Sequence, residues 1–205
     1  MNERISWCSE NNLELSVNKT KEIIVDFRRK KSPLSPLLID GRTFEIVQHF
    51  KFLGSTISTK LKWELNIDTI VKKARQWLYF LRRLRSFGLT TQIMLIVYRA
   101  VIESVFTFSI TVWFGSITVK EKLRLNRVEK TASRIIGRDL PSLESLYQQR
   151  LLERAIRISH DSSHPAHDLF SPLPSSRRFR SIKTRTNRFS SSFLPLTNQA
   201  LSKQK

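Results

Sequence analysis

His160, Asp161, His164 and His167 stand within eight residues of one another, and they are the one cluster of metal-ligand types in the chain. A tetrahedral zinc site needs four such groups converging, usually with cysteine among them. Pro165 sits between the last two histidines and denies a regular helix across them, and no fourth soft ligand is near. Two histidines and a carboxylate also make up an iron dioxygenase triad, but no spread of strands surrounds them. Nucleotidyl transfer requires two or more carboxylates on divalent metals. No Asp-Asp pair occurs, and Asp26 and Asp40 read as a strand residue and a turn former. Cys8 has no adjacent base to activate it as a nucleophile, and no glycine-rich phosphate loop is present. The residues therefore predict no catalytic centre, no cofactor, no metal and no small-molecule substrate.

Positive charge is what remains. The chain carries 36 basic and 17 acidic side chains, a formal net charge of +19. A field of that sign attracts polyanions, and nucleic acid is the partner that fits best, because phosphate attraction by Lys and Arg is strong and independent of sequence. The charge is concentrated in Lys72, Lys73, Arg75, Arg82, Arg83 and Arg85, a stretch that no acidic residue interrupts. Trp63, Trp77, Tyr79 and Phe80 lie nearby, and aromatic rings stack on bases while cations hold phosphates. Against this stands the plainer reading of a solvated helix face.

The elements that would position these residues follow from the apolar periodicity. Glu22 to Phe27 alternates as a strand, with Ile23, Val25 and Phe27 on one face. A proline-broken linker follows, then a hairpin about the turn pair Asp40-Gly41, then a strand from Phe50 to Ser58 with Gly54 permitting a bulge. Beyond Leu61 the period becomes helical. Ile67, Ile70, Val71, Ala74, Leu78, Leu81 and Leu84 form one apolar stripe ending near Gly88. Thr91 to Phe114 is apolar nearly all round and is expected at the centre of the helical part, with Arg99 and Glu103 in its middle speaking against a membrane span. Val119 to Ile136 is a third helix, with Leu123, Val128, Ala132 and Ile135 as its expected core. Leu143 to Ser159 is a fourth, with Leu146, Leu151, Leu152 and Ile156. After Asp161 the chain turns to Ser, Pro and Arg, eight basic residues against Asp168 alone, and is expected to be disordered. No internal repeat is present, a lone cysteine excludes a disulfide framework, and no secretory signal opens the chain, so an intracellular setting, nucleus or cytoplasm, is expected.

The order of several short motifs resembles the end of the palm and the thumb of non-LTR (LINE-type, jockey-like) retrotransposon reverse transcriptases. Trp7-Cys8, Asn12-Leu13, Leu15 and Asn18-Lys19-Thr20-Lys21 before a strand are similar to the region after that family's catalytic strand. Phe52-Leu53-Gly54 within Phe50 to Ser58 resembles its primer-grip hairpin, and Leu78 to Gly88 its first thumb helix. Val112 to Gly115, Arg134 to Gly137, Ser163 to Pro165 and Ser192 to Pro195 match its C-terminal end, so the likeness runs along nearly the whole chain. The resemblance implies that Lys19 and Thr20 sit near an incoming nucleotide, Phe52, Gly54 and Ser55 near a primer terminus, and the Lys72 to Arg85 face along a template duplex. It also places the family's catalytic aspartates upstream of Met1, so polymerase activity is not expected of this chain. Phe44 to Arg85 also resembles the N-terminal domain of the eighth AlkB homologue, which is attached to a tRNA-modifying dioxygenase and methyltransferase. The iron triad, 2-oxoglutarate arginine and methyl-donor glycine loop of those activities are absent from the sequence.

The expected fold is α+β: a truncated palm remnant with a hairpin over 1–60, a helical thumb-like domain over 61–161, and a disordered basic tail over 162–205. The expected function is non-catalytic binding of primer–template duplex or RNA, with an AlkB-homologue-like accessory domain or an inert retroelement product as alternatives. The sequence does not set the oligomeric state.

Overall fold

The computed structural model describes residues 6–8, 10–13, 16, 19–29, 35–39, 42–175, 178–180 and 183–204, with side chains described up to residue 202. Leu15, Asn18, Asp40 and Gly41, named above, lie outside these. The fold is α+β, and the chain divides into two compact units, Met1–Asn66 and Ile67–Lys205.

Among the described residues the first unit holds three two-stranded pairings. β1 (Lys21–Glu22) runs parallel to β4 (Glu45–Ile46), and Lys21 is ion-paired with Glu45 across that ladder. The strand expected over Glu22 to Phe27 is thus cut short. Beyond Glu22 its residues join no ladder among the described residues, and Val25 and Phe27 are exposed. β2 (Leu38–Ile39) and β3 (Arg42–Thr43) pair antiparallel across the expected Asp40-Gly41 turn. The Phe50 to Ser58 run is a hairpin rather than one bulged strand. β5 (His49–Phe52) and β6 (Ser55–Ser58) pair with Phe52 opposite Ser55. The intervening Leu53 and Gly54 both have positive φ, 44° and 88°, as the mirror-image two-residue turn requires. Asn66 Oδ1, at the end of this unit, accepts from the Thr56 amide at 3.0 Å.

The second unit is helical. α1 (Glu64–Ser86) buries Ile67, Ile70, Val71, Ala74, Leu78 and Leu81, the stripe expected from the sequence. α2 (Thr91–Tyr98) is capped by Thr90 Oγ1 and runs through a π-helical turn, Arg99–Glu103, into α3 (Ser104–Thr107). The single helix expected over Thr91 to Phe114 is therefore interrupted. Ser104 Oγ donates to the Ala100 carbonyl at 2.5 Å and Thr107 Oγ1 to the Glu103 carbonyl at 2.8 Å, competing with the helical ladder and bending it. The ladder then breaks outright at Phe108, which is extended, and Ser109, whose φ is +49°. α4 (Ile110–Trp113) and a 3₁₀ turn at Phe114–Ser116 follow.

Met94, Tyr98, Ile102, Phe106 and Trp113 on this segment are fully buried, whereas Ile93, Ile96 and Val112 are exposed. The segment is one-sided rather than central, which corrects the expectation that it would be covered all round. By length and composition alone Thr91–Ser116 is apolar enough to cross a bilayer.

α5 (Val119–Ile136) begins with a reciprocal capping box between Thr118 and Glu121 and ends at Gly137, φ +76°. Its core is Leu125, Val128, Ala132 and Ile136. Val128 and Ala132 are buried as expected, whereas Leu123 is exposed and Ile135 only half-buried, their places being taken by Leu125 and Ile136. α6 (Leu143–His160) is capped by Ser142 and buries Leu143, Tyr147, Leu151, Ala155 and Ile158 instead of Leu146, Leu152 and Ile156. Among the remaining contacts, α2 packs on α5, and α3 and α4 pack on α6.

The segment after Asp161 departs most from expectation. α7 (Asn187–Ser190) and α8 (Phe193–Gln204) are ordered helices, and α8 packs on α6. Phe170 and Leu201 join Ala155 and Ile158 in a second core, flanked by Phe179, Phe193 and Leu194. Asn198 Nδ2 donates to the Arg180 carbonyl at 3.0 Å, and the Phe179 amide donates to Ser202 Oγ at 3.1 Å. The apolar residues here are too scattered to read as a stripe, but they meet a face of α6 that is already apolar.

Candidate nucleic-acid interface

α1 carries the basic residues because its core stripe uses only one side of the helix. At three and four residues apart, Lys72, Arg75, Tyr79 and Arg82 share one flank. Lys73, Trp77, Phe80 and Leu84 share the other by the same spacing. All six predicted basic residues of α1 are exposed, but they do not form one face. Arg85 falls in line with Leu78 and Leu81 and donates from Nη1 to the Ile136 carbonyl at 3.4 Å. It caps the negative end of α5, where a cation is favoured, and is partly spent on structure. Arg83 lies over the exposed Phe87 ring, 5.6 Å from its centroid.

The basic flank faces a groove. Asp68, Val71, Lys72, Arg75, Gln76 and Arg124 line an open cleft of about 540 Å³ between α1 and α5. Arg124 Nη2 meets Asp68 Oδ1 at 2.6 Å on its wall. Lys120 and Arg127, four residues before and three after Arg124, fall on the same side of α5 and are exposed. Sequence reasoning missed this second wall. The signal was there in the spacing of Lys120, Arg124 and Arg127, but the intervening Glu121 and the following Glu129 masked it as an ordinary mixed-charge helix.

On the opposite flank Trp77 and Phe80 are 5.4 Å apart, and Tyr79, from the basic flank, meets Phe80 edge-on at 5.7 Å. Trp77 is 38% exposed and Tyr79 60%, so neither ring is absorbed into the core.

The remaining predicted site residues belong to the first unit. Lys19 is exposed, and Thr20 Oγ1 donates to the Ser16 carbonyl at 2.8 Å. Phe52 is half-exposed beside the β5–β6 turn, Gly54 is in that turn, and Ser55 begins β6. The histidine cluster is absorbed in local turns. Asp161 Oδ1 accepts from the amide and hydroxyl of Ser163, at 3.0 and 2.6 Å, which hold its carboxyl below the usual range. His164 Nδ1 accepts from the Ala166 amide at 3.1 Å, and His167 Nδ1 lies 3.3 Å from the Ile158 carbonyl. Among the described residues no group of three or more His, Cys, Asp and Glu is placed to hold a metal ion.

Residues 63–104 match the family model described as alkylated DNA repair protein alkB homolog 8, N-terminal. The match takes in α1, α2 and the π turn, and leaves α5, α6 and the C-terminal helices unmatched. No curated protein and no solved structure matches the chain.

Proposed function

We propose that this chain is a non-catalytic nucleic-acid-binding module whose contact surface is the basic flank of α1 and the cleft it shares with α5. The observation that carries this reading is the convergence of Lys72 and Arg75 from one helix with Arg124 from another on a single open groove. An open, cationic groove, with an exposed tyrosine, Tyr79, on the same flank of α1 by helical spacing, suits a phosphate backbone with stacked bases. In the finer form of the reading, α1 is the thumb helix of a LINE-type reverse transcriptase remnant, and the ligand is primer–template duplex. The match over residues 63–104 favours a second reading, an accessory domain like the N-terminal one of alkB homolog 8, with a folded RNA such as tRNA as ligand.

Fluorescence anisotropy with primer–template duplex and with tRNA separates these. With about four phosphates contacted, affinity falls on the order of 100-fold between 50 and 200 mM salt. The triple charge reversal Lys72→Glu, Arg75→Glu, Arg82→Glu lowers it further, by at least about tenfold. Unchanged affinity in that variant refutes the surface. Preference for tRNA over duplex selects the accessory-domain reading, and primer extension with nucleotides and magnesium, if it gave product, refutes the non-catalytic one.

A further inference from the structure

A second cleft, of about 610 Å³, opens where the α2–α3 segment is distorted, and it shares no lining residue with the α1–α5 groove. Arg99 enters it from the π-helical turn, and Arg150, Arg154 and Arg157 from α6. The three α6 arginines are four and three residues apart, which puts them on one helix side, and all four are exposed. Glu103 and Glu153 are the acidic lining residues, so the cleft carries a net charge of about +2. Among the described residues no ion pair joins these arginines to either glutamate, and Glu153 Oε1 is taken by Gln149 Nε2 at 2.9 Å. The guanidinium donors are mostly unspent. Arg150 Nη1 donates to the Thr107 carbonyl at 3.4 Å, an acceptor freed by the helix break, and Arg154 Nη1 to Thr111 Oγ1 at 3.3 Å. These bonds fix two of the forks, Arg154 also lying over the Phe193 ring at 5.6 Å, and each fork keeps further N–H groups beyond its one bond.

The π turn and the left-handed Ser109 are what make the space. A continuous helix would carry Arg99 and Glu103 along a regular face, and single π turns recur at functional sites. Guanidinium forks match the oxygens of a phosphate group in pairs, and a net charge of about +2 balances a phosphate dianion. The geometry points to this cleft as a phosphate-binding site, taking a phosphate or pyrophosphate group held between Arg99 on one side and Arg154 and Arg157 on the other. That group is either free in solution or part of a nucleic-acid backbone.

Titration calorimetry of the full chain with inorganic pyrophosphate at low salt tests the first source, and duplex affinity tests the second. Arg99→Ala with Arg157→Ala is the informative pair, because neither side chain makes a described hydrogen bond within the protein. Pyrophosphate is expected to saturate one site, with at least about tenfold weaker binding in the double variant and no change in Arg82→Ala. Arg154→Lys keeps the charge but not the fork, and is expected to weaken binding about threefold. If pyrophosphate does not saturate but the double variant loses duplex affinity, the phosphate is that of the backbone. If neither ligand distinguishes the double variant from the native chain, the site does not exist.

Discussion

Arg124 Nη2 lies 2.6 Å from Asp68 Oδ1, joining α5 to the first turns of α1 at the edge of the cationic groove. Asp68 is the groove's acidic lining residue, and it offsets one of the charges that a polyanion would meet there. Asp68→Asn removes that offset. Both partners are partly solvent-exposed, so the fold loses about 0.2–1 kcal/mol. Binding moves the other way. Duplex affinity is expected to rise about threefold at low salt, and the slope of log affinity against log salt to steepen by about one. A variant that binds more weakly places the groove away from the nucleic acid.

Gly115 is a point where the C-terminal segment approaches the helical core. A Cβ built there would stand 2.5 Å from the Ser191 carbonyl oxygen and 2.7 Å from the Tyr147 hydroxyl. Gly115→Ala is expected to cost about 1–3 kcal/mol in thermal denaturation and to speed proteolysis beyond residue 161. Gly88→Ala provides the contrast. Its φ is +73° but nothing stands within 4 Å, so it costs about 1 kcal/mol of backbone strain and leaves the C-terminal helices protected. Equal protease sensitivity in both variants contradicts the docking of α8 on α6.

The same segment shows where the sequence was readable. The stripe of α1 is legible because seven apolar residues repeat at three and four, and burial follows the period. In α5 the ends are legible from Thr118, Glu121 and Gly137, but only half of the core is. Leu123 and Leu125 are both apolar, and only the packing partner decides that Leu125 goes inside. α8 escaped because its apolar residues belong to a core completed by α6, a long-range contact that no local period reports. The basic groove was half legible for the same reason: Lys72 and Arg75 announce themselves as a run, whereas Arg124 gains its meaning from Asp68 across space.

Burial raises the Glu129 carboxyl above its ordinary range, although its Oε2 accepts the Leu143 amide at 3.2 Å at the start of α6. A carboxyl with a raised folded-state pKa is held less readily as the anion in the fold than in the unfolded chain. Its contribution is fully favourable below the ordinary carboxyl range and is lost as pH rises through the raised value. Glu129→Gln keeps an acceptor for the Leu143 amide without the charge. Its melting temperature is expected to exceed that of the native chain at pH 7, and the gap to close as pH falls through the carboxyl range. A gap that widens on acidification reverses the assigned sign.

The two flanks of α1 make different demands on a ligand, and aromatic substitutions tell them apart. Tyr79 stands among Lys72, Arg75 and Arg82, where a base flipped from a held backbone would meet its ring. Trp77 stands on the other flank against Phe80, beside Lys73 alone of the predicted cations. Stacking is worth about 1–3 kcal/mol per base, so Tyr79→Ala is expected to weaken single-strand binding by about 5-fold or more. Duplex affinity should change less, because paired bases are not free to stack. Trp77→Ala should leave both affinities within about twofold, while its lost ring contact with Phe80 lowers stability by about 0.5–1.5 kcal/mol. Anisotropy titrations of the two variants with a single strand and a duplex decide the matter. Should Trp77 prove the more important residue, the nucleic acid lies along the aromatic flank, and the cleft shared with Arg124 is not its seat.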